Sequence, residues 1–329
     1  MGNALRGINL GGWLVAERWM TQDLFKGVQG DDEYSLGWEL GKEEAARRLK
    51  AHRATFIKED DFKWIADQGF DFVRLPVGYW LLGGVDNFVE GQEHLQDAFM
   101  WAKRYNLLVV LDLHGLQGSQ NGEAHSGRRG GIWFFEESHQ SQALSTLEKL
   151  AKTYGGHPSL LGLQVINEPK AFLLGGLVKY YKAAYNRVKP HLASGVNVIV
   201  SDAFHPRRMS RALVAAGLAS KVVMDVHLYQ TELQWFVNRS FVGHEWHVRR
   251  DWGNLLRSIS SRVPVMVGEW SAAMPTKNMS TRLPSRQYAA YYQAQLEVFD
   301  TWSWAHAYWT YKAPHNGPWE HRSRPDLGR

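Results

Sequence analysis

The sequence predicts a single-domain (β/α)8 barrel, the TIM-barrel architecture, spanning residues 1–329, and three observations carry the prediction. Short apolar segments with strand character alternate with longer amphipathic segments along the chain, the order that builds a parallel sheet. Eight such strand segments fit within 329 residues, a length at which a closed barrel is the simplest arrangement. An open doubly wound sheet is the competing arrangement, yet no G-x-G-x-x-G fingerprint marks a nucleotide site.

The elements follow in order. Gly7-Ile8-Asn9-Leu10 reads as the first strand, closed by Gly11-Gly12. A helix over 59–68 stops at Gly69, a usual helix terminator, and the second strand covers 70–77. Helix 93–105 leads into strand 107–114, and helix 142–154 into strand 161–167. The second half repeats the rhythm: helix 176–189 and strand 197–201, helix 208–216 and strand 222–228, helix 245–260 and strand 264–268, helix 285–302 and strand 305–310. After Lys312 the remaining residues are rich in Pro, Gly and charge, so the eighth helix is expected to be short or missing. Segments 21–37 and 115–131 read as long irregular connections, which in a compact domain usually carry function.

Composition narrows the function classes. Hydrophobic residues make up 44% of the chain, enough for a full core, and no apolar run reaches the length of a membrane span. Without cysteine there is neither a disulfide nor a thiolate ligand or nucleophile. The net charge of +5 is spread without a dense basic tract, so no nucleic-acid partner is expected. The 15 Trp residues are more than a core needs, because each buried indole N–H requires a partner; flat aromatic faces suit the C–H faces of pyranose sugars.

A barrel carries its active site at the C-terminal ends of its strands, so the polar residues there are the candidates. The first strand leads to Glu17 and the second carries Arg74; the third ends at His114 and the fourth at Asn167-Glu168-Pro169. His227 and Tyr229 close the sixth, Glu269-Trp270 the seventh and Trp309 the eighth, whereas Asp202 after the fifth reads as a turn or helix cap. Each has a bland reading alone, but ionisable or sugar-binding residues at seven of eight strand ends point to a site. Glu168 and Glu269 face one another across the mouth, and two carboxyl groups are what acetal cleavage needs: one protonated to assist the leaving oxygen, one ionised to attack or to activate water. Asn167 is placed to bind a sugar 2-hydroxyl, and Arg74 and Tyr229 to keep Glu269 ionised. Glu168 is expected to need a raised pKa, with His227 as its tuning partner.

Several stretches together resemble a known family. These are Arg6-Gly7-Ile8-Asn9-Leu10-Gly11-Gly12-Trp13-Leu14-Val15-Ala16-Glu17-Arg18-Trp19, Phe72-Val73-Arg74-Leu75-Pro76-Val77-Gly78-Tyr79-Trp80, Asp112-Leu113-His114-Gly115, Gly118-Ser119-Gln120-Asn121-Gly122, Asn167-Glu168-Pro169, His227-Leu228-Tyr229 and Val267-Gly268-Glu269-Trp270. In this order over nearly the whole chain, they resemble glycoside hydrolase family 5, in its branch of exo-β-1,3-glucanases. The resemblance implies a retaining mechanism without metal or organic cofactor, with Glu168 as acid/base and Glu269 as nucleophile. It also implies that Arg74, His114, Asn167, His227, Tyr229 and Trp309 line the glycone subsite and that Glu17 grips a terminal glucose. Where the family carries aromatic residues at the aglycone side, this chain has Glu123 and Glu232, which predicts an acidic entrance.

The expected partner is a β-glucan or its oligosaccharides, acted on by a monomer. Endo action, β-1,6 or β-1,4 specificity and glucosyl transfer are the alternatives within the class. Outside it stand a non-catalytic glucan-binding barrel and a metal-dependent hydrolase using His114, His125, His227 or His244, for which no H-E-x-x-H or comparable spacing exists. A polymeric substrate favours a secreted or periplasmic location, with a leader removed; no leader is visible, which leaves the cytoplasm open.

Overall fold

Eight parallel strands close on themselves in chain order: β1 Leu5–Asn9, β2 Phe72–Gly78, β3 Leu108–Gly115, β4 Leu160–Gln164, β5 Asn197–Ser201, β6 Val223–Leu228, β7 Val265–Trp270 and β8 Ala305–Tyr308. The β1–β8 ladder, Leu5 opposite Ala305 through Ile8 opposite Tyr308, completes the barrel. This computed structural model describes residues 4–170, 174–231, 240–274, 285–314 and 319–323; Glu232 lies outside them.

The two-residue period of a strand divides the side chains into two layers. Val73, Leu75, Val109, Leu111, Leu163, Val198, Val200 and Val226 pack outward against helix residues such as Phe62, Leu95, Leu147 and Leu256. Phe72, Val110, Ile199, Val223, Met266, Ala305 and Ala307 instead form their own cluster inside the barrel. Room for the Phe72 ring depends on Gly7, where a Cβ would lie 2.4 Å from ring carbons. Above this apolar plug the same inward files turn polar, with Arg74, Asp112, Gln164 and Asp225 each two positions beyond a plug residue or its register equivalent. The plug therefore closes one end of the barrel, and the site occupies the other.

The predicted strand order holds, with ends shifted by a few residues. Helix Ser285–Trp302 has the predicted bounds, and helix Phe241–His247 continues through a π-helical turn, Val248–Trp252, into Gly253–Ser260. Among the described residues no helix follows β8. Instead, residues 319–322 run beside 310–311, with Thr310 N–H donating to Trp319 O (2.9 Å) and His321 N–H to Thr310 O (2.9 Å).

Two helices were not anticipated, Glu33–Leu40 and Lys42–Phe56. The first begins inside the expected irregular connection, where the Asp32 carboxylate accepts from Ser35 N–H at 2.7 Å, an N-cap. The second buries Ala45, Leu49 and Arg53, spaced at four residues, and the arginine hides the apolar stripe from a hydrophobicity reading. Arg53 is buried because it meets the equally buried Glu33 at 2.7 Å and donates to the Val89 and Glu90 carbonyls. Glu33 in turn accepts from Trp80 Nε1 at 3.2 Å. Removing one partner leaves the other charged and dry, so Arg53→Ala is expected to lower unfolding stability by about 3–5 kcal/mol. A urea midpoint within error of the parent would show that the pair contributes nothing.

Candidate active site

The guanidinium of Arg74 sits at the centre of the polar layer, and each of its nitrogens is engaged. Nε donates to Gln164 Oε1 (3.0 Å), Nη1 to Asn9 Oδ1 (2.9 Å) and Glu269 Oε1 (2.8 Å), and Nη2 to Asn167 Oδ1 (2.8 Å). Asp112 lies 3.0 Å from Nη2 and Asp225 3.9 Å. Burial works against this charge, but Asp112, Glu269 and Asp225 outweigh it and hold Arg74 protonated. Asp225 is fixed by Gln164 Nε2 (2.8 Å) and by Gly268 N–H (2.7 Å). Gly268 has to be glycine, since a Cβ there would lie 2.2 Å from the Asp225 carboxylate.

Glu269, at the end of β7, accepts from Arg74 on one oxygen and from Tyr229 OH (2.9 Å) on the other. Burial pushes its carboxyl up, opposed by the charges of His227 and Arg74. Glu168 stands just past β4 with φ of 43°, a left-handed conformation that is rare for a non-glycine residue and typical of functional sites. It accepts from His227 Nδ1 at 2.6 Å, while His227 Nε2 meets Asp225 at 3.0 Å. Oxygens of Glu168 and Glu269 and a ring nitrogen of His227 all lie within 4.8 Å of one another. That spacing fits the short separation of a double-displacement pair (about 5–5.5 Å) and falls below the roughly 6.5–9.5 Å that an inverting pair needs.

The resting proton distribution differs from the sequence expectation. Burial pushes the Glu168 carboxyl up, but the hydrogen bond and charge of His227 outweigh it and bring its pKa down to about 2. Burial of His227 is likewise overcome by Glu269, Asp225 and Glu168, which raise its pKa well above the usual value. The resting proton is therefore on the His227 ring, one hydrogen bond from Glu168. Because the folded pKa is raised, the stability it confers is full below about pH 6.5 and is lost as pH climbs through the folded value. The basic limb of kcat/KM then belongs to the Glu168–His227 pair. His227→Gln leaves Glu168 to titrate alone and is expected to move that limb to lower pH by on the order of one unit. An unmoved limb would remove His227 from the proton store.

Around the pair lies a cavity of about 1240 Å³, lined among others by Glu17, His114, Asn167, Glu168, Tyr229, Glu269 and Trp309. His114 is oriented by Asp112 (2.7 Å) and lies parallel to the Trp309 ring at 5.9 Å. Burial pushes Glu17 up to about 7, although His114 and the Trp19 indole N–H (2.9 Å) act against it. Trp19, Trp319 and Tyr229 form a chain of edge and tilted contacts at the rim, with centroids 5.6 and 5.5 Å apart. The loop after β3 supplies His125, which reaches Glu168 at 3.4 Å and which burial holds down to about 4, and so neutral at pH 7.

The structure thus brings together every described candidate. Glu123 lines the same cavity, where its carboxylate meets Arg129 at 3.0 Å and Lys170 at 3.5 Å, whereas Glu232, the other residue of the expected acidic entrance, lies outside the described residues. Asp202 makes the expected turn, accepting from Phe204 N–H at 3.1 Å. His244 bonds to Gln230 at 2.6 Å and does not line the cavity. Not anticipated were Asn9, Gln164, Asp112 and Asp225 beneath the site, His125 beside Glu168, and Trp319 on the rim. A signal existed for the two aspartates. Each stands two residues before a strand-end histidine, on the same strand face (Asp112-Leu113-His114 and Asp225-Val226-His227).

Comparison with known proteins adds an independent observation. The family model described as Cellulase (glycosyl hydrolase family 5) matches residues 41–314. Probable glucan 1,3-beta-glucosidase A of Aspergillus fumigatus is 34% identical over 308 residues, covering 90% of this chain and 72% of that protein. Glucan 1,3-beta-glucosidase 2 of Wickerhamomyces anomalus is 36% identical over 284 residues, covering 82% and 66%. The chain spans about two thirds of the length of such relatives. The crystal structure of rutinosidase from Aspergillus niger shares the fold, with a TM-score of 0.81, 23% identity and coverage of 100% of this chain and 95% of that one.

Proposed function

The chain belongs to glycosyl hydrolase family 5, and on that premise we propose that it is a retaining exo-β-1,3-glucosidase releasing glucose from β-glucan ends. The observation that carries this reading is the close pair of carboxylates, within 4.8 Å, with Arg74 and Tyr229 on Glu269 and His227 on Glu168.

In this reading Glu269 attacks the anomeric carbon while the glycosidic C–O bond breaks. Arg74 and the Tyr229 hydroxyl hold the attacking carboxylate in place and keep it ionised. The leaving oxygen takes a proton from Glu168, which Glu168 has drawn from His227 Nδ1 along their hydrogen bond as substrate displaces water. Glu168, now a base, removes a proton from water; the water oxygen bonds to the anomeric carbon, and the bond to Glu269 breaks. Two inversions give net retention. Glu17, with a pKa near 7, holds a proton for part of the time at neutral pH and can donate to a glucose hydroxyl. The whole chain acts as one catalytic domain and as a monomer, outside the cytoplasm where polymeric glucan lies. Among the described residues, no helix is long and apolar enough to cross a membrane.

A second reading, glucosyl transfer or cleavage within chains, is favoured by the cavity volume of about 1240 Å³, above the roughly 300–1,000 Å³ usual for one small ligand. Laminarihexaose hydrolysis followed by product chromatography separates the two. Glucose and laminaripentaose as the sole early products fit exo hydrolysis, di- to tetrasaccharides would mark cleavage within chains, and products longer than the substrate would mark transfer. An enzyme inert on every β-glucan offered would overturn the proposal.

A further inference from the structure

Away from the catalytic cavity, on the side of the barrel served by the loops after β2 and β3, two smaller cavities of about 410 and 360 Å³ adjoin. They share Tyr79, Val85, Asp86, Gly118 and His139, so together they form one groove. None of these residues lines the catalytic cavity. The groove walls are aromatic and polar in alternation: Tyr34, Tyr79, Phe88 and Trp133, with Asn87, Gln117 and Arg128 between them.

Three features go beyond ordinary surface. Trp38 and Trp133 are 69% and 42% exposed, an unfavourable disposition for an indole unless something covers it. They belong to one ladder, in which Trp38 stacks parallel to Tyr34 at 6.5 Å, Arg128 lies over Tyr34 at 4.0 Å and the same guanidinium faces Trp133 at 5.6 Å. Accessible polar side chains stand beside these rings, with Asp86 exposed and Asn87 half-buried along the same groove.

Flat aromatic faces beside the accessible polar groups of Asp86 and Asn87 suit a ligand with apolar C–H faces and many hydroxyls. We propose that this groove is a second carbohydrate-binding site, which holds a β-linked glucan chain on the outside of the barrel while the catalytic cavity works on an end. The occupant's identity rests on the proposed function, whereas the site itself rests on its own residues. The loop 115–131 lines both places, presenting Glu123 and His125 to the catalytic cavity and Gly118, Ser126 and Arg128 to the groove.

The test is gel retardation by a soluble β-1,3-glucan, with a soluble α-glucan as control, comparing the parent with Trp38→Ala/Trp133→Ala. Retardation by the β-glucan is expected to weaken on the order of tenfold in dissociation constant, with kcat/KM on a monoglucoside unchanged and KM on the polymer raised. A second variant, Asp86→Ala, which removes an exposed polar group shared by both parts of the groove, is expected to weaken retardation in the same direction. Undiminished retardation and polymer KM in a correctly folded double variant would overturn the site. If the parent hydrolyses no β-glucan and yet retardation depends on the two tryptophans, the site stands and only the catalytic proposal falls.

Discussion

Replacement of Glu269 by alanine is expected to reduce kcat for glucoside hydrolysis by at least about 10⁴-fold, the scale on which loss of a nucleophile is felt in covalent catalysis. KM is expected to change far less, because the sugar contacts proposed for Glu17, His114 and Trp309 do not pass through this carboxylate. Folding is expected to survive, since Arg74 keeps Asp112 at 3.0 Å and Asp225 at 3.9 Å. The informative arm is rescue. Azide occupying the space of the lost carboxylate would attack the anomeric carbon from the same face and give the α-glucosyl azide in a single inversion. Formation of the β-azide, or activity within tenfold of the parent, would take the nucleophile's role from Glu269.

The Glu168→Ala variant separates the two chemical steps. For a sugar leaving group, which needs a proton, kcat/KM is expected to fall by about 10²–10⁴-fold. For a dinitrophenyl leaving group, which departs without one, the first step is expected to stay fast and the glucosyl-enzyme to accumulate as a burst. Azide then intercepts that intermediate, with no general base required, and yields the β-glucosyl azide. Opposite azide anomers from the two variants would assign the roles by position, independently of any resemblance. Equal losses on both leaving groups would contradict the assignment.

The barrel and its strand-end residues were legible because each strand announces itself locally, as an apolar run stopped by a polar residue. His114, Glu168, His227 and Glu269 lie where those runs end, and Arg74 interrupts the second run from within. The layer beneath was less so. Asn9, Gln164, Asp112 and Asp225 sit inside strand segments; Asp112 and Asp225 each meet the histidine two residues on, but the common role of the four comes from closure, which brings β1, β3, β4 and β6 onto a single guanidinium. Helix Lys42–Phe56 was hidden for a related reason, because its buried stripe includes Arg53, whose partner Glu33 belongs to another helix. The resting proton escaped a sequence reading as well. Glu168 was expected to hold it, but His227, bonded to two carboxylates at 2.6 and 3.0 Å, is the more basic group. Glu123 illustrates the converse limit: its charge was visible, whereas its matching by Arg129 and Lys170 was not.

The central claim is that Glu269 and Glu168 act as a retaining pair, and the anomer of the first product tests it most directly. Proton NMR of p-nitrophenyl β-glucoside hydrolysis, in which the glycone is the sole glucose formed, recorded before mutarotation equilibrates the product, distinguishes the outcomes. A retaining pair releases this glucose first as the β-anomer, with α-glucose growing in only as mutarotation proceeds. α-Glucose as its first form would mean a single displacement by water, and Glu269 would then be a base rather than the nucleophile.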